Sequence, residues 1–154
     1  MNGSRHYTSY LAVDPGLTTG WAIWGDHHKA HGQDEPMPFL DLAEEWAALA
    51  RPASVMVVES YRITAETVRK SRQPWSLEII GALRWIAHRH GVDFLMQTPA
   101  DAKAFGHDAR LKRLGFWVPG QDHARDAYRH LALALAKHRR LPDASDSSCT
   151  VGDT

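Results

Sequence analysis

Asp14, Glu59 and the run Asp122-His123-Ala124-Arg125-Asp126 are the residues of this chain whose types and spacing could do chemistry. Asp14 follows an apolar stretch, Leu11-Ala12-Val13, and Glu59 follows another, Val55-Met56-Val57-Val58. Acidic residues just past strand carboxyl ends lie at the mouth of the site in α/β sheets. His123 and Asp126 are three apart and share a helix face. Asp122 and Asp126 are four apart and share one too, so spacing alone does not choose the partner of Asp126. His130 stands two turns beyond His123 on the same face. Clustered carboxylates repel one another unless a cation lies between them. Oxygen donors suit Mg²⁺ or Mn²⁺, and an imidazole among them is compatible with Mn²⁺. Two such ions, roughly 3.5–4 Å apart, can activate water on one side of a phosphodiester and stabilise the leaving oxygen on the other.

Each residue also has a plainer role. Asp14-Pro15-Gly16 is a common turn sequence. A Glu at a strand end is often only solvated. Asp122 is placed to cap the helix that follows, with His123 as its first residue, and that assignment leaves His123 and Asp126 for the metal. His130 and His138 read as packed or surface residues rather than ligands, and His27, His28 and His31 as members of an exposed hairpin. The chemical reading therefore rests on the joint order of these residues.

The elements that must position them are legible. Residues 7–13, 21–24 and 28–32 read as three strands, the third polar enough for a sheet edge. Leu40, Leu42, Ala43, Trp46, Ala47 and Leu49 recur at helical spacing after Pro38, and Pro52 ends that helix. The unbroken apolar run of residues 54–59 predicts a strand covered on both faces. Residues 61–74 read as irregular and basic. A helix over 75–90 capped by Gly91, a strand over 92–97, short helices over 99–105 and 108–114, and a long helix over 122–139 complete the order. The fold class is α/β, a sheet covered by helices. The domain spans residues 1–140, and residues 141–154 form a polar, flexible tail.

Composition narrows the classes further. The chain has 154 residues, 44% apolar and 23% charged, which suits one domain with a real core. No apolar run is long enough to span a membrane, and no secretory signal is recognisable. Cys149 is the single cysteine, so a disulfide framework and a Cys-rich zinc site are excluded, and a reducing cytoplasmic setting is expected. The net charge of +0 conceals a polarity: −5 over residues 1–50, +8 over 51–140 and −3 over 141–154. A basic segment beside an acidic cluster can hold a polyanion locally.

Leu11-Ala12-Val13-Asp14-Pro15-Gly16, Thr19-Gly20-Trp21-Ala22, Val57-Val58-Glu59 and His123-Ala124-Arg125-Asp126-Ala127, in that order, resemble the RuvC family of Holliday-junction resolvases. The resemblance implies a ribonuclease H-like mixed five-stranded sheet flanked by helices. It assigns Asp14, Glu59, His123 and Asp126 as catalytic, metal-binding residues holding two Mg²⁺ or Mn²⁺ ions. Many members carry Asp where His123 stands, and some carry His. The resemblance also implies branched DNA as partner and a homodimer, to which the helix over 75–90 would contribute Leu77, Ile80, Leu83 and Trp85 either as surface or as core. Candidate DNA contacts are Tyr61 and Arg62 just past Glu59, then Arg69, Lys70 and Arg72, and Lys103, Arg110 and Lys112 before the last helix. The basic stretch 62–72 departs from the cellular family and is similar to phage-encoded members. The function expected is structure-selective DNA cleavage that resolves four-way junctions by paired nicks, in recombination or phage DNA processing. The alternatives are a ribonuclease H-like nuclease acting on RNA or an RNA–DNA hybrid, and a junction-binding module without catalysis.

Overall fold

Strict alternation in two neighbouring strands sorts the core into two halves. The computed structural model describes residues 6–26, 28–50, 52–70 and 74–142. Strands β1 (Ser9–Asp14), β2 (Thr19–Gly25), β3 (Lys29–Asp34), β4 (Ser54–Glu59) and β5 (Asp93–Gln97) form one sheet in the order β3-β2-β1-β4-β5. β1, β2 and β3 are antiparallel neighbours, whereas β1, β4 and β5 run parallel. The mixed five-stranded sheet is the one expected.

Tyr10 and Ala12 of β1, with Val55 and Val57 of β4, face a core built from α5 (Asp108–Leu114) and α6 (Asp122–Lys137). Leu11 and Val13, with Met56 and Val58, face the opposite core, built from α1 (Pro36–Leu49) and α3 (Trp75–His90). Side chains alternate between faces with period two, so both faces of β4 are apolar because both are covered. The same parity fixes the polar ends. Asp14 continues the Tyr10–Ala12 row and Glu59 the Val55–Val57 row, so both carboxylates rise on the α6 side of the sheet.

Most expected boundaries fall within a residue or two, and α3, α4 (Pro99–Phe105) and α5 match. Gly91 ends α3 in the left-handed conformation, φ 67°, where a side chain would be strained. Four expectations need correction. Residues 65–70 are not irregular but form a short helix, α2 (Ala65–Lys70). The Thr67 amide donates to Thr64 Oγ1 and the Thr64 amide to Thr67 Oγ1, a reciprocal cap that satisfies the helix start. No residue of α2 is buried, so it leaves no apolar periodicity to read. The capping position of α6 belongs to Gln121, not Asp122, which is the first helical residue and accepts a hydrogen bond from Arg125 Nη2 one turn on. Helix α6 stops at Lys137, and Arg139 takes a positive φ of 55°. Leu49 is exposed, and Phe39 takes its expected place in the α1 core with Ala43 and Ala47. Of the tail, residues 141–142 carry no regular structure and the rest lies outside the described residues.

Candidate active site

Parallel pairing sets the first two site residues side by side. Val13 is level with Val58, so the next residues, Asp14 and Glu59, end adjacent strands together. Loop contacts hold the turn after Asp14. Thr19 Oγ1 donates to the Gly16 carbonyl at 2.8 Å, and Ser76 Oγ at the start of α3 donates to the Pro15 carbonyl at 2.7 Å.

Helix α6 enters over this edge. Its N-terminal turn rests on Gly20, the cross-strand partner of Asp14. A Cβ on Gly20 would stand 1.9 Å from the His123 carbonyl oxygen, so only glycine admits the helix at this depth. The close approach brings His123 Nδ1 to 3.0 Å from Asp14 Oδ2. An ionised carboxylate only accepts, so Nδ1 is the donor in that state.

Burial pushes the Asp14 carboxyl up to about 6, and the charge on Glu59 adds to the rise; the His123 hydrogen bond lowers it, and the charge on Asp126 raises it further. Glu59 and Asp126 therefore both act on Asp14. The sign of the linkage follows. Asp14 binds its proton more tightly in the folded chain than at its ordinary value of 3.8, so the stability this group lends is full below about 4 and is lost as pH rises through about 6. Without divalent ions, Asp14→Asn is expected to melt above the wild type at pH 7, with the gap closing by pH 4; thermal melts in chelator at both pH values read it, and a wild type that gains stability between pH 4 and pH 7 relative to the variant refutes it.

Glu59 and Asp126 already have partners. Glu59 Oε2 lies 2.7 Å from Nε2 of His130, and Asp126 Oδ1 accepts from Arg129 Nε at 3.1 Å. Arg129 is further held by the Gly106 carbonyl and by Asp108 Oδ1, the latter at 2.8 Å. Among the described residues no three His, Cys, Asp or Glu side chains are grouped to hold an ion. The donor chemistry still suits a divalent cation: His123 touches Asp14, on which the charges of Glu59 and Asp126 both act, and such a charge would relieve that repulsion.

The basic candidates divide by location. Lys103 lines an open cleft of about 720 Å³ with Arg125 and Arg129 and three acids, Asp108, Asp122 and Asp126, the last of them one of the candidate ligands. Arg110 lies elsewhere, in a second cleft of about 460 Å³ with Arg113 and Arg139, and its guanidinium sits 4.1 Å over the Phe105 ring. Lys112 Nζ and the Arg125 guanidinium lie over the Trp117 ring, at 4.5 and 4.6 Å. Arg62, Arg69 and Lys70 are exposed, Lys70 paired with Glu66 at 2.5 Å. Tyr61 is half-buried against the α1–α3 core. Arg72 and His27 lie outside the described residues. His31 bonds to Tyr128 at 2.9 Å, which accounts for it without a metal. Of the α3 residues named for a dimer, Ile80 and Leu83 belong to the core and Trp85 is exposed.

Four residues of the site carried no clear signal or were passed over: Gly20, Gln97, Arg129 and His130. The seven-residue spacing from His123 to His130 was visible, but only packing shows what His130 touches.

Among solved structures the chain is similar to T. thermophilus RuvC in complex with a Holliday junction substrate, with a TM-score of 0.56 and 17% identity over 87% of this chain and 96% of that one. The chain has the RuvC-like resolvase fold. The fowlpox virus Holliday junction resolvase superposes with a TM-score of 0.51 at 12% identity, covering 83% of this chain and 97% of that one. Ydc2, the yeast mitochondrial Holliday junction resolvase, gives 0.53 at 12% identity, covering 88% and 81%. No protein-family model and no curated protein matches the chain. The expected mixed five-stranded sheet flanked by helices thus holds, and the likeness to these structures is one of fold at low sequence identity. No helix among the described residues is long and apolar enough to cross a membrane.

Proposed function

We propose that this chain is a metal-dependent, structure-selective DNA endonuclease that resolves four-way junctions by hydrolysing one phosphodiester on each of two strands. What supports the reading is that Asp14 and Glu59 end adjacent parallel strands, that His123 of α6 is hydrogen-bonded to Asp14 and that the charge of Asp126 reaches Asp14, all on a RuvC-type fold. Asp14, Glu59, His123 and Asp126 would hold Mg²⁺ or Mn²⁺, two ions per site. Bound there, the ions supply the charge that activates water and stabilises the leaving oxygen. Asp14 is the central donor, since the charges of both other carboxylates act on it. His123 orients Asp14 through their hydrogen bond. Lys103 and Arg125 in the adjoining cleft neutralise flanking phosphates. Arg62, Arg69 and Lys70, exposed in the stretch after Glu59, would meet DNA, and Arg72 is proposed with them; Tyr61 packs against the α1–α3 core. Arg110 and Lys112 would contact an outer arm. A homodimer presents two such sites, one for each strand, and the exposed Trp85 on α3 is available to its interface. The single cysteine agrees with work in a reducing cytoplasm.

The test is cleavage of a synthetic immobile junction by the purified chain, beside duplex DNA and an RNA–DNA hybrid, with Mg²⁺ or Mn²⁺, mapping every nick. Paired nicks on opposed strands of the junction are expected. Preferential cutting of the hybrid would replace the reading with an RNA-directed nuclease. Binding without cutting under either cation would leave a junction-binding module.

His123 gives the site one imidazole in place of a fourth carboxylate. His123→Asp adds a negative charge and an oxygen donor, and is expected to move the preference from Mn²⁺ toward Mg²⁺. The ratio of junction cleavage rates with the two cations measures it; an unchanged ratio rejects the assignment of His123 as a ligand.

A further inference from the structure

Glu59 is the longest of the carboxylate side chains proposed to bind the ions, and its end is free to swing unless something holds it. His130 does. Its ring is fully buried on the inner face of α6, one turn past Asp126. Nε2 lies 2.7 Å from Glu59 Oε2, and Nδ1 lies 3.0 Å from the side-chain amide oxygen of Gln97. Gln97 is itself buried and is the β5 partner of Glu59 in the sheet register, so both side chains rise together toward α6. The Ser60 amide donates to the Gln97 carbonyl at 2.8 Å, closing the strand ends behind them. A carboxylate can only accept, so the proton on this contact belongs to His130 Nε2, which leaves Nδ1 to accept from the Gln97 side-chain amide turned so that its N–H faces the ring. The ring is thereby gripped at both nitrogens.

We propose that His130 is a positioning residue for Glu59, held by Gln97, that fixes one carboxylate oxygen and leaves the other to face a divalent cation. The inference rests on the metal-dependent reading above. It goes beyond it by giving a role to a histidine outside the four ligands. Hydrogen-bond partners behind metal ligands fix ligand orientation, and their loss typically lowers metal affinity about 10–100-fold. A buried histidine serving packing alone would not need a carboxylate at one nitrogen and an amide at the other, since desolvating those groups is costly.

Two polar substitutions separate orientation from packing. Gln at 130 can place its amide nitrogen near the position of Nε2, toward Glu59. Asn is one methylene shorter and reaches only the side of Nδ1, toward Gln97. Mn²⁺ binding to the DNA-free chain, read by calorimetry or by the loss of the free-ion paramagnetic resonance signal, is compared for wild type, His130→Gln and His130→Asn, with melting in chelator as the folding control. His130→Asn is expected to weaken Mn²⁺ binding about tenfold or more, and His130→Gln to stay close to wild type. Equal affinity in all three overturns the positioning role, and so does an equal loss in both variants, which would mean that only the ring's packing matters. A wild type that binds no Mn²⁺ sinks the metal-dependent reading itself and this inference with it. Should His130→Asn fail to fold, Gln97→Leu carries the same comparison one residue further out. Weaker Mn²⁺ binding in Gln97→Leu, with its melting in chelator close to wild type, supports the proposal, and unchanged binding overturns it.

Discussion

Asp14→Asn is expected to abolish junction cleavage while junction affinity stays within a few-fold of wild type. Asp14 ends the central strand of the site, receives His123 at 3.0 Å and lies in the field of Glu59 and Asp126. An amide keeps the shape of the carboxylate and removes its charge, so the substitution tests the charge rather than the packing. Metal-assisted hydrolysis draws several kcal/mol of transition-state stabilisation from the bound ions, and each 1.36 kcal/mol is tenfold in rate, so a loss of roughly a thousandfold or more is expected. Affinity depends chiefly on basic side chains, which this change leaves in place. Cleavage rates under saturating Mn²⁺, with gel-shift affinity in chelator, give the two numbers. Residual cutting above about a tenth of wild type would remove Asp14 from the chemistry, and lost binding would make it a structural residue. The higher melting temperature expected of the same variant at pH 7 guards against misfolding as the cause.

How far the sequence went depended on whether a feature was local. The closed apolar run 55–58 pointed to a strand covered on both faces, because burial writes itself into residue order. The i, i+3 pair His123/Asp126 was visible for the same reason. Helix α2 was not, because Thr64 and Thr67 hold it by hydrogen bonds and no buried side chain marks its turns. Asp122 misled, because Asp at a helix start serves equally as a cap or as a partner for an arginine three residues on, and Arg125 decides between them. Glu59, Gln97 and His130 meet across three elements, and nothing in one stretch of chain encodes that meeting. Nor does residue order show that Asp126 bonds to Arg129, a contact an incoming cation must share or displace.

Gly20 shows the same dependence on tertiary contact, and its substitution is expected to cost both stability and activity. In the sequence it stands in the Thr19-Gly20-Trp21-Ala22 motif, and nothing there shows what it touches. In the fold it is where β2 lets the first turn of α6 down onto the sheet, opposite Asp14. A Cβ there would stand 1.9 Å from the His123 carbonyl oxygen and 2.1 Å from its carbonyl carbon. Both are backbone atoms, so no rotamer change relieves the clash, and the helix start must move by about 1 Å or more to regain van der Waals distance. Overpacking of this kind costs about 1–3 kcal/mol, and a displacement of about 1 Å in a reacting group costs about a hundredfold in rate. Gly20→Ala is therefore expected to lower the melting temperature and to cut junction cleavage about a hundredfold, while junction binding falls much less. Ala47→Gly, on helix α1 across the sheet from α6, is the control: Ala47 is buried in the opposite core, so its truncation lowers stability without moving α6. If Gly20→Ala loses no more cleavage than a control of equal stability, the placement of His123 against Asp14 is not what the glycine protects. If cleavage falls far below that control, the depth at which α6 enters the sheet is what assembles the site.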